Sequence, residues 1–156
     1  MVFKTPKVPP VEDVRELTDI PPDTLAALRI MEAGLYGGVL RTLARAAELL
    51  VQLDRSYYTL IAVSPENHHE VKGVAVVDRS TDNLAWLRGL VIDSDARREG
   101  IGSGLLEHVE QNLKDQGFNR VNLFDVGGKA VEFYESQGYR TVGGDHGGVV
   151  ELQKDL

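Results

Sequence analysis

Three glycines and two arginines stand close together in the segment RREGIGSGLL, residues 97 to 106. Arg97 and Arg98 come first, Gly100, Gly102 and Gly104 follow at alternate positions, and an apolar helical pattern begins inside the run. Glycine disfavours helix and raises the entropic cost of ordering the backbone. A helix N-terminus, however, presents free backbone N–H groups and a partial positive charge, and glycines let a phosphate approach them closely. The segment therefore predicts a pyrophosphate site for a nucleotide-containing ligand, with a flexible strand-to-helix connection as the alternative.

Two common nucleotide-binding patterns fit this segment poorly. The Walker A pattern is G-x-x-x-x-G-K-[ST], and no such string occurs in the chain. The dinucleotide fingerprint is G-x-G-x-x-G, whereas this segment reads G-x-G-x-G with Leu105 where the third glycine of the fingerprint belongs. Neither a P-loop nor a Rossmann site is therefore predicted.

The composition is typical of one globular domain that does no thiol chemistry. The chain has 156 residues, 42% of them hydrophobic and 26% charged, and it contains no cysteine, which excludes disulfides, thiolate catalysis and cysteine-based zinc sites. Lys plus Arg number 17 against 24 Asp plus Glu, and the net charge of −7 opposes nonspecific attraction to nucleic acid or anionic lipid. The sequence has neither a signal-peptide pattern nor an apolar run long enough to span a bilayer. We expect a single cytoplasmic domain over residues 1–156, with neither nucleic acid nor membrane as a partner.

Hydrophobic periodicity indicates helices first and strands afterwards. Residues 1–10 contain three prolines and favour an extended lead-in over a packed element. A weak strand is predicted at 11–17 and two helices between 23 and 53, because apolar residues there recur at helical spacing. Three strands follow at short intervals, at residues 58–63, 71–78 and 84–92. Short loops predict that these three strands are antiparallel neighbours.

The second half of the chain predicts a parallel strand pair joined by a helix. A helix is expected from Ile101 to the stop signal Gly117, and a strand at 121–126. A strand, a helix and a strand in this order form a βαβ unit with a right-handed crossover. A short helix at about 129–137, stopped by Gly138, and two final β-segments, the second at 149–153, complete the pattern. Gly89, alone inside the third strand, indicates a bulge.

Two separate segments carry a resemblance to a known family. Residues 97–102, RREGIG, match the [QR]-x-x-G-x-[GA] signature of the GCN5-related N-acetyltransferase (GNAT) superfamily, in which this loop holds the pyrophosphate of acetyl-CoA. The segment GGKAVEFYESQGY is similar to the family's N-x-x-A-x-x-F-Y-x-x-x-G-[FY], with Gly127 in place of the asparagine. The resemblance covers about residues 58–153. It implies an α/β (α+β) fold of the GNAT type, with a central mixed, mostly antiparallel sheet, a parallel βαβ unit and flanking helices.

The resemblance also implies roles for particular residues. The main chain of Leu90, Val91 and Ile92 would hold the acetyl and pantetheine end of acetyl-CoA, and Tyr134 stands where the family often carries the general acid. The residues implied for the pyrophosphate end are Arg97, Arg98, Glu99, Gly100, Ile101, Gly102, Ser103 and Gly104. Gly104 lies beyond the signature itself, and easing the packing of the helix's first turn is an alternative role for it.

The general base is not identified by the resemblance, because Trp86 occupies the position where some family members carry a glutamate. Asp125, at the end of the following strand, and Asp93 are the candidate carboxylates, and a chain of water molecules leading to bulk solvent is an equal alternative. Adjacent residues on an extended segment point apart, so His68 and His69 predict no joint metal ligation, and no metal is expected. Lys129 is a candidate contact for the 3′-phosphate of CoA.

Taken together with the residues, the resemblance implies an enzyme that transfers the acetyl group of acetyl-CoA to an amine by direct attack in a ternary complex. The amine would belong to a small molecule or a peptide, and a homodimer is a form to expect because dimers are common in the family. A non-catalytic acyl-CoA-binding regulatory module is the alternative, favoured by the missing glutamate and asparagine. An unrelated nucleotide-binding protein is a third reading.

Overall fold

One mixed sheet of seven strands, with two helices beside it, organises the part of the chain that the computed structural model describes. That part comprises residues 1–4, 57–67, 70–93, 96–143 and 147–156. Its strands are β1 (Val2–Lys4), β2 (Tyr57–Val63), β3 (Val71–Thr81), β4 (Leu84–Ile92), β5 (Arg120–Val126), β6 (Arg140–Gly143) and β7 (Val149–Asp155). Its helices are α1 (Ile101–Asp115) and α2 (Val131–Ser136).

The strand order places the parallel pair near the middle of the sheet. The order is β1-β2-β3-β4-β5-β7-β6, and of these neighbours β4 and β5 are parallel while the others are antiparallel. Helix α1 connects β4 to β5, as a parallel pair requires. The predicted fold class, a mostly antiparallel mixed sheet with one parallel βαβ unit, is thereby confirmed.

The parallel pair separates towards its carboxyl ends. β4 and β5 pair from Leu84 opposite Arg120 to Leu87 opposite Leu123. β4 then continues to Ile92 and β5 to Val126, beyond the paired stretch. Backbone groups on the β5-facing edge of β4 are therefore available to another partner after Leu87.

A bulge marks the point where β4 leaves β5. Gly89 lies opposite Val76 on β3 and Leu87 lies opposite Val77, so Arg88 is an extra residue in β4. A bulge bends its strand and increases the local twist. The predicted irregularity at Gly89 is confirmed, and it accounts for the divergence from β5.

Helix α1 packs one apolar face on the sheet. Its buried residues are Ile101, Leu105, Leu106, Val109 and Leu113, the stripe that the periodicity predicts. They meet β2, β3 and β4 residues such as Leu60, Ala75 and Leu87 in one core cluster. Burying five such side chains contributes on the order of 10 kcal/mol to folding before conformational entropy is subtracted.

Both helices end at the predicted glycines. Gly117 and Gly138 have φ values of +90° and +93°, a conformation that glycine adopts without strain. After α1, Phe118 N–H donates to the Leu113 carbonyl at 2.9 Å, and after α2, Tyr139 N–H donates to the Tyr134 carbonyl at 3.0 Å. Each is the long hydrogen bond of a Schellman motif. The second motif places the Tyr139 ring beside that of Tyr134.

The prediction that residues 1–10 form a lead-in rather than a packed element is wrong for the first of them. Val2–Lys4 pair with β2, with Phe3 opposite Ala62, and the Phe3 ring stacks on His108 of α1 at 4.4 Å between centroids. The free edge of β2 binds this short strand, and Phe3 buries part of its ring against the core. The strand predicted at 11–17 and the helices predicted between 23 and 53 lie outside the described residues.

Candidate active site

A cavity opens where β4 leaves β5, between the first turn of α1 and helix α2. Its volume is about 620 Å³. Its lining residues are Leu90, Val91, Ile92, Ala96, Arg97, Arg98, Gly100, Ile101, Gly102, Ser103, Ala130, Phe133 and Tyr134. The structure therefore brings together, around one space, most of the residues that the sequence singles out in two distant segments.

The N-terminus of α1 forms one end of this cavity. Gly100 is its N-cap residue, with φ +77°, and the first bond within the helix runs from Gly104 N–H to the Gly100 carbonyl at 3.0 Å. The N–H groups of Ile101, Gly102 and Ser103 precede that bond, and such groups have no acceptor within a helix. Together with the helix dipole they form a site that favours an anion.

Gly102 and Gly104 face different neighbours. A Cβ atom on Gly102 would lie 3.4 Å from Phe133 Cζ and 3.8 Å from Ile92 Cγ1, both of which line the cavity. A Cβ atom on Gly104 would lie 2.6 Å from Phe3 Cζ, which is closer than packed atoms approach. Gly104 and Glu99 are not part of the cavity lining. Gly104 instead makes room for the N-terminal strand, the packing role that the sequence offers as its alternative.

Tyr134 closes the other end of the cavity. Its side chain is only 8% exposed, and its ring makes edge contacts with those of Phe133 and Tyr139 at 5.2 and 5.6 Å. Burial raises the pKa of the Tyr134 hydroxyl well above its ordinary value, and the negative charge of Asp125 raises it further. The hydroxyl therefore keeps its proton throughout the neutral range and can donate a hydrogen bond.

The comparisons with known proteins agree with this geometry. A family model described as an acetyltransferase (GNAT) domain matches residues 55–141, more than half of the chain. The chain belongs to the GNAT acetyltransferase family. The predicted family and the predicted class of enzyme, an acetyltransferase, are thereby confirmed. A sequence search of curated proteins found no match.

Solved structures have a similar fold to this chain at low sequence identity. An aminoglycoside 6′-N-acetyltransferase complexed with coenzyme A is 16% identical, with 99% of this chain and 97% of that one covered and a TM-score of 0.75. PaiA N-acetyltransferase from Thermoplasma acidophilum, in complex with coenzyme A, is 19% identical over 100% of both chains, with a TM-score of 0.71. Tetrahymena GCN5 is 12% identical over 99% and 96% of the two chains, with a TM-score of 0.72. At these identities the likeness concerns the fold.

Neither carboxylate considered as the base of this GNAT protein belongs to the cavity lining. Asp125 Oδ2 accepts a hydrogen bond of 2.9 Å from the Ala130 N–H at the start of α2. Asp93 lies past the end of β4, where its N–H donates to the Lys72 carbonyl at 2.8 Å and its carbonyl accepts from Ala96 N–H at 2.9 Å. Both residues thus have contacts that hold the connections around the cavity.

Several lining residues of the GNAT cavity escaped the sequence-based assignment of roles. Phe133 and Ala130 belong to the segment GGKAVEFYESQGY that resembles the family. Phe133 is next to Tyr134 on α2, and Ala130 is one turn before it. Their spacing from Tyr134 is the signal that could have identified them. Ala96, directly before Arg97, is buried and carries no chemical signal of its own. Their apolar surfaces form the walls between the two polar ends.

The remaining candidates of the sequence lie away from the cavity or outside the described ranges. His68 and His69 are among the residues not described, and Lys129 is exposed and does not line the cavity. Among the described residues there is no cluster of three or more His, Asp or Glu side chains that could hold a metal ion. In the same part of the chain, no helix is long and apolar enough to cross a membrane.

The backbone of Arg98, just before α1, is strained in this GNAT protein. Arg98 has φ +66°, a left-handed conformation that costs a non-glycine residue about 1 kcal/mol. Arg98→Ala and Arg98→Gly both remove the charge, but only glycine relieves the strain. We expect Arg98→Gly to be about 1 kcal/mol more stable than Arg98→Ala in urea denaturation. We expect both variants to bind CoA about fivefold more weakly than the wild type in calorimetry, because both lose the proposed contact of the guanidinium group with the ligand. Equal stabilities of the two variants would rule out backbone strain at Arg98. Wild-type CoA affinity in both variants would rule out a contact between Arg98 and CoA.

Proposed function

We propose that this chain is an N-acetyltransferase that binds acetyl-CoA in the cavity between α1 and α2 and transfers the acetyl group directly to an amine. The observation that carries this proposal is a cavity with a helix N-terminus suited to an anion on one side and Tyr134 on the other. GNAT membership supports it, as do the two structural neighbours that hold coenzyme A. The proposed cosubstrate is acetyl-CoA, with no metal.

The pyrophosphate of acetyl-CoA is proposed to lie on the first turn of α1. The backbone N–H groups at residues 101–103 would donate to its oxygens, and the guanidinium groups of Arg97 and Arg98 would add charge-assisted bonds. The pantetheine arm would run along Leu90–Ile92, whose β5-facing backbone edge lies beyond the paired stretch. An extended peptide binds an open strand edge as an added strand, and the amide groups of the arm would pair with this edge in the same way.

Acetyl transfer requires stabilisation of a leaving thiolate. The amine nitrogen attacks the thioester carbonyl carbon, the C–N bond forms, the C–S bond breaks and the amine loses a proton. Tyr134 would donate a hydrogen bond to the sulfur as negative charge develops there. Because burial and Asp125 raise the pKa of Tyr134 above the value of about 8.5 for an ordinary thiol, the hydroxyl keeps its proton and would stabilise the thiolate by the hydrogen bond alone. The proton that the amine loses would pass through solvent to the thiolate, which leaves as the thiol of CoA.

Ligand-dependent stability and thiol release test the proposal. We expect acetyl-CoA and CoA to raise the melting temperature and NAD and ATP to leave it unchanged, because a ligand that binds only the folded state stabilises it. With acetyl-CoA present, thiol release should then depend on an added amine. Stabilisation by NAD or ATP alone would eliminate acyl-CoA binding. Stabilisation by CoA without thiol release across a broad panel of small amines and peptides would favour the regulatory module.

The amine is proposed to approach from the face of the sheet opposite α1. Trp86 and Phe124 project from β4 and β5 on that face, beside the point where the two strands part, and their rings stack at 5.1 Å. Arg88, the bulged residue, lies over Trp86 and pairs with Asp78 at 3.2 Å. Phe124 is 51% exposed and so has surface available to the apolar part of an acceptor.

Truncating Phe124 tests this route. We expect Phe124→Ala to raise KM for the amine about tenfold and to change KM for acetyl-CoA less than twofold, because the ring faces away from the cavity. Val142→Ala is the matched control, since Val142 is 45% exposed but lies on the distant edge strand β6. An unchanged amine KM in Phe124→Ala would contradict the proposed approach.

Homodimer formation and a cytoplasmic location stay predictions.

A further inference from the structure

We infer that Asp125 is a positioning residue, which anchors the start of α2 to the end of β5 so that Phe133 and Tyr134 form the wall of the cavity, and that it is not the general base. The inference rests on the proposed function for its kinetic consequences. Its binding consequences can be measured without any turnover.

The first step is the contact that Asp125 makes. Asp125 is on the α1 side of β5, because Val121 and Leu123, at alternate positions before it, are buried in the α1-facing core. From there its Oδ2 atom accepts the Ala130 N–H at 2.9 Å. A carboxylate that accepts a backbone N–H at a helix start satisfies one of the donors that the helix leaves unbonded and also interacts favourably with the helix dipole.

The second step is the dependence of α2 on an anchor. The helix comprises only Val131–Ser136, too short to be stable by itself, and its N-cap residue, Ala130, offers no side-chain cap. The link between β5 and α2 contains Gly127 and Gly128, which have φ values of +85° and +67°. Glycines at such a link leave its geometry poorly determined unless other bonds fix it. Gly127 N–H donates to the Gly148 carbonyl at 2.6 Å at the start of the link, and the Asp125–Ala130 bond fixes its end.

The third step connects the anchor to the cavity. Ala130 accepts the Tyr134 N–H through its carbonyl at 3.0 Å, so two hydrogen bonds in sequence join the Asp125 carboxylate to the Tyr134 backbone. Ala130, Phe133 and Tyr134 all line the cavity, whereas Asp125 does not. A shift of α2 would therefore move one whole wall, and the carboxylate that helps to prevent the shift at the start of the helix is outside the cavity.

The same geometry argues against Asp125 as the base. A general base must reach the proton that it removes within hydrogen-bond distance or through one water molecule. Asp125 has one oxygen engaged by Ala130, and its charge raises the pKa of Tyr134 and so favours a protonated hydroxyl at the site. The hydrogen bond of Asp125 thus positions α2, and its charge keeps the Tyr134 hydroxyl protonated as a hydrogen-bond donor.

Two substitutions at Asp125 distinguish the roles. Asp125→Asn keeps an oxygen that can accept the Ala130 N–H, whereas Asp125→Ala removes it. For a positioning residue we expect CoA to bind Asp125→Asn within about threefold of the wild type and Asp125→Ala about tenfold more weakly, with kcat of Asp125→Asn reduced by less than tenfold. Glu132→Ala is the control, because Glu132 is an exposed carboxylate on the same helix, outside the lining.

Other outcomes overturn the inference. Loss of kcat by about 100-fold in both Asp125 variants, with CoA affinity unchanged, is the result expected of a base. Wild-type CoA affinity in Asp125→Ala would show that the anchor does not shape the cavity. If Asp125→Ala does not fold, Asp125→Asn still decides, because an amide cannot act as the base. A wild-type protein that binds CoA but transfers no acetyl group would refute the proposed function and leave the binding comparison intact.

Discussion

Gly102→Ala is expected to weaken CoA binding about 100-fold, close to 3 kcal/mol, without lowering the stability of the protein. The new Cβ atom fits within the cavity, at 3.4 Å from Phe133 Cζ and 3.8 Å from Ile92 Cγ1. It occupies, however, the space through which a pyrophosphate would approach the first turn of α1 in the proposed complex. Within a helix alanine is favoured over glycine by about 1 kcal/mol, so the urea midpoint should stay level or rise. Calorimetric titration with CoA and urea denaturation together measure both effects.

Gly104→Ala is the matched control, since it makes the same substitution two residues further along α1. Its Cβ atom would lie 2.6 Å from Phe3 Cζ, so the Phe3 ring must move away from His108 and the core. We expect a net loss of stability of about 1 kcal/mol and a change in CoA affinity smaller than threefold. Gly102→Ala should therefore lose CoA affinity but not stability, and Gly104→Ala should lose stability but not CoA affinity. If both lower stability and affinity together, the assignment of separate neighbours to the two glycines is wrong.

The elements that the sequence predicts well are those with long, regular patterns. Helix α1 presents a full apolar stripe over 15 residues, and both helices end at glycines that adopt positive φ. Strands β3 and β4 likewise follow their predicted positions, although β3 runs on to Thr81. Local propensity, periodicity and turn chemistry agree in these segments, and such agreement is what makes a local prediction reliable.

The features that sequence reasoning missed depend on distant contacts. Strand β1 has only three residues, too few for any periodic signal, and it forms because β2 has a free edge. Gly104 is small because Phe3 lies against it, and nothing near Gly104 in the chain indicates that neighbour. Such positions become understandable only when the sheet brings the two segments together.

Asp125 illustrates the same limit for the site. A carboxylate at the end of a strand, near a suspected general acid, is equally compatible with a base and with an anchor. The difference is the particular N–H group that it meets, and that depends on how the Gly127–Gly128 link turns the chain. The sequence pattern places Asp125 near the candidate site, whereas the hydrogen bond to Ala130 indicates its role as an anchor.

Tyr134→Phe is expected to lower kcat about 100-fold, because one donor to a charge that develops in the transition state commonly contributes a factor of this size. The phenylalanine ring keeps the edge contacts with Phe133 and Tyr139, so CoA affinity should change less than threefold. The pKa of the Tyr134 hydroxyl is raised by burial and by Asp125, so the hydroxyl stays protonated to above about pH 10. The wild-type kcat should therefore show no alkaline decrease attributable to this group below that pH. Thiol-release assays across pH measure kcat and its pH dependence, and calorimetric titration measures the CoA affinity.

Tyr139→Phe is the control for the loss of a buried tyrosine hydroxyl in the same aromatic cluster. The Tyr139 hydroxyl donates to Glu110 Oε2 at 3.1 Å, and Glu110 keeps Lys154 as a partner at 2.8 Å when that hydroxyl is removed. We expect this variant to lose about 1 kcal/mol of stability and to retain kcat within threefold of the wild type. A Tyr134→Phe enzyme as active as the wild type would show that the departing thiolate obtains its stabilisation elsewhere. Equal losses of kcat in both variants would show instead that the cluster acts through packing, because the two substitutions remove the same atom from neighbouring rings.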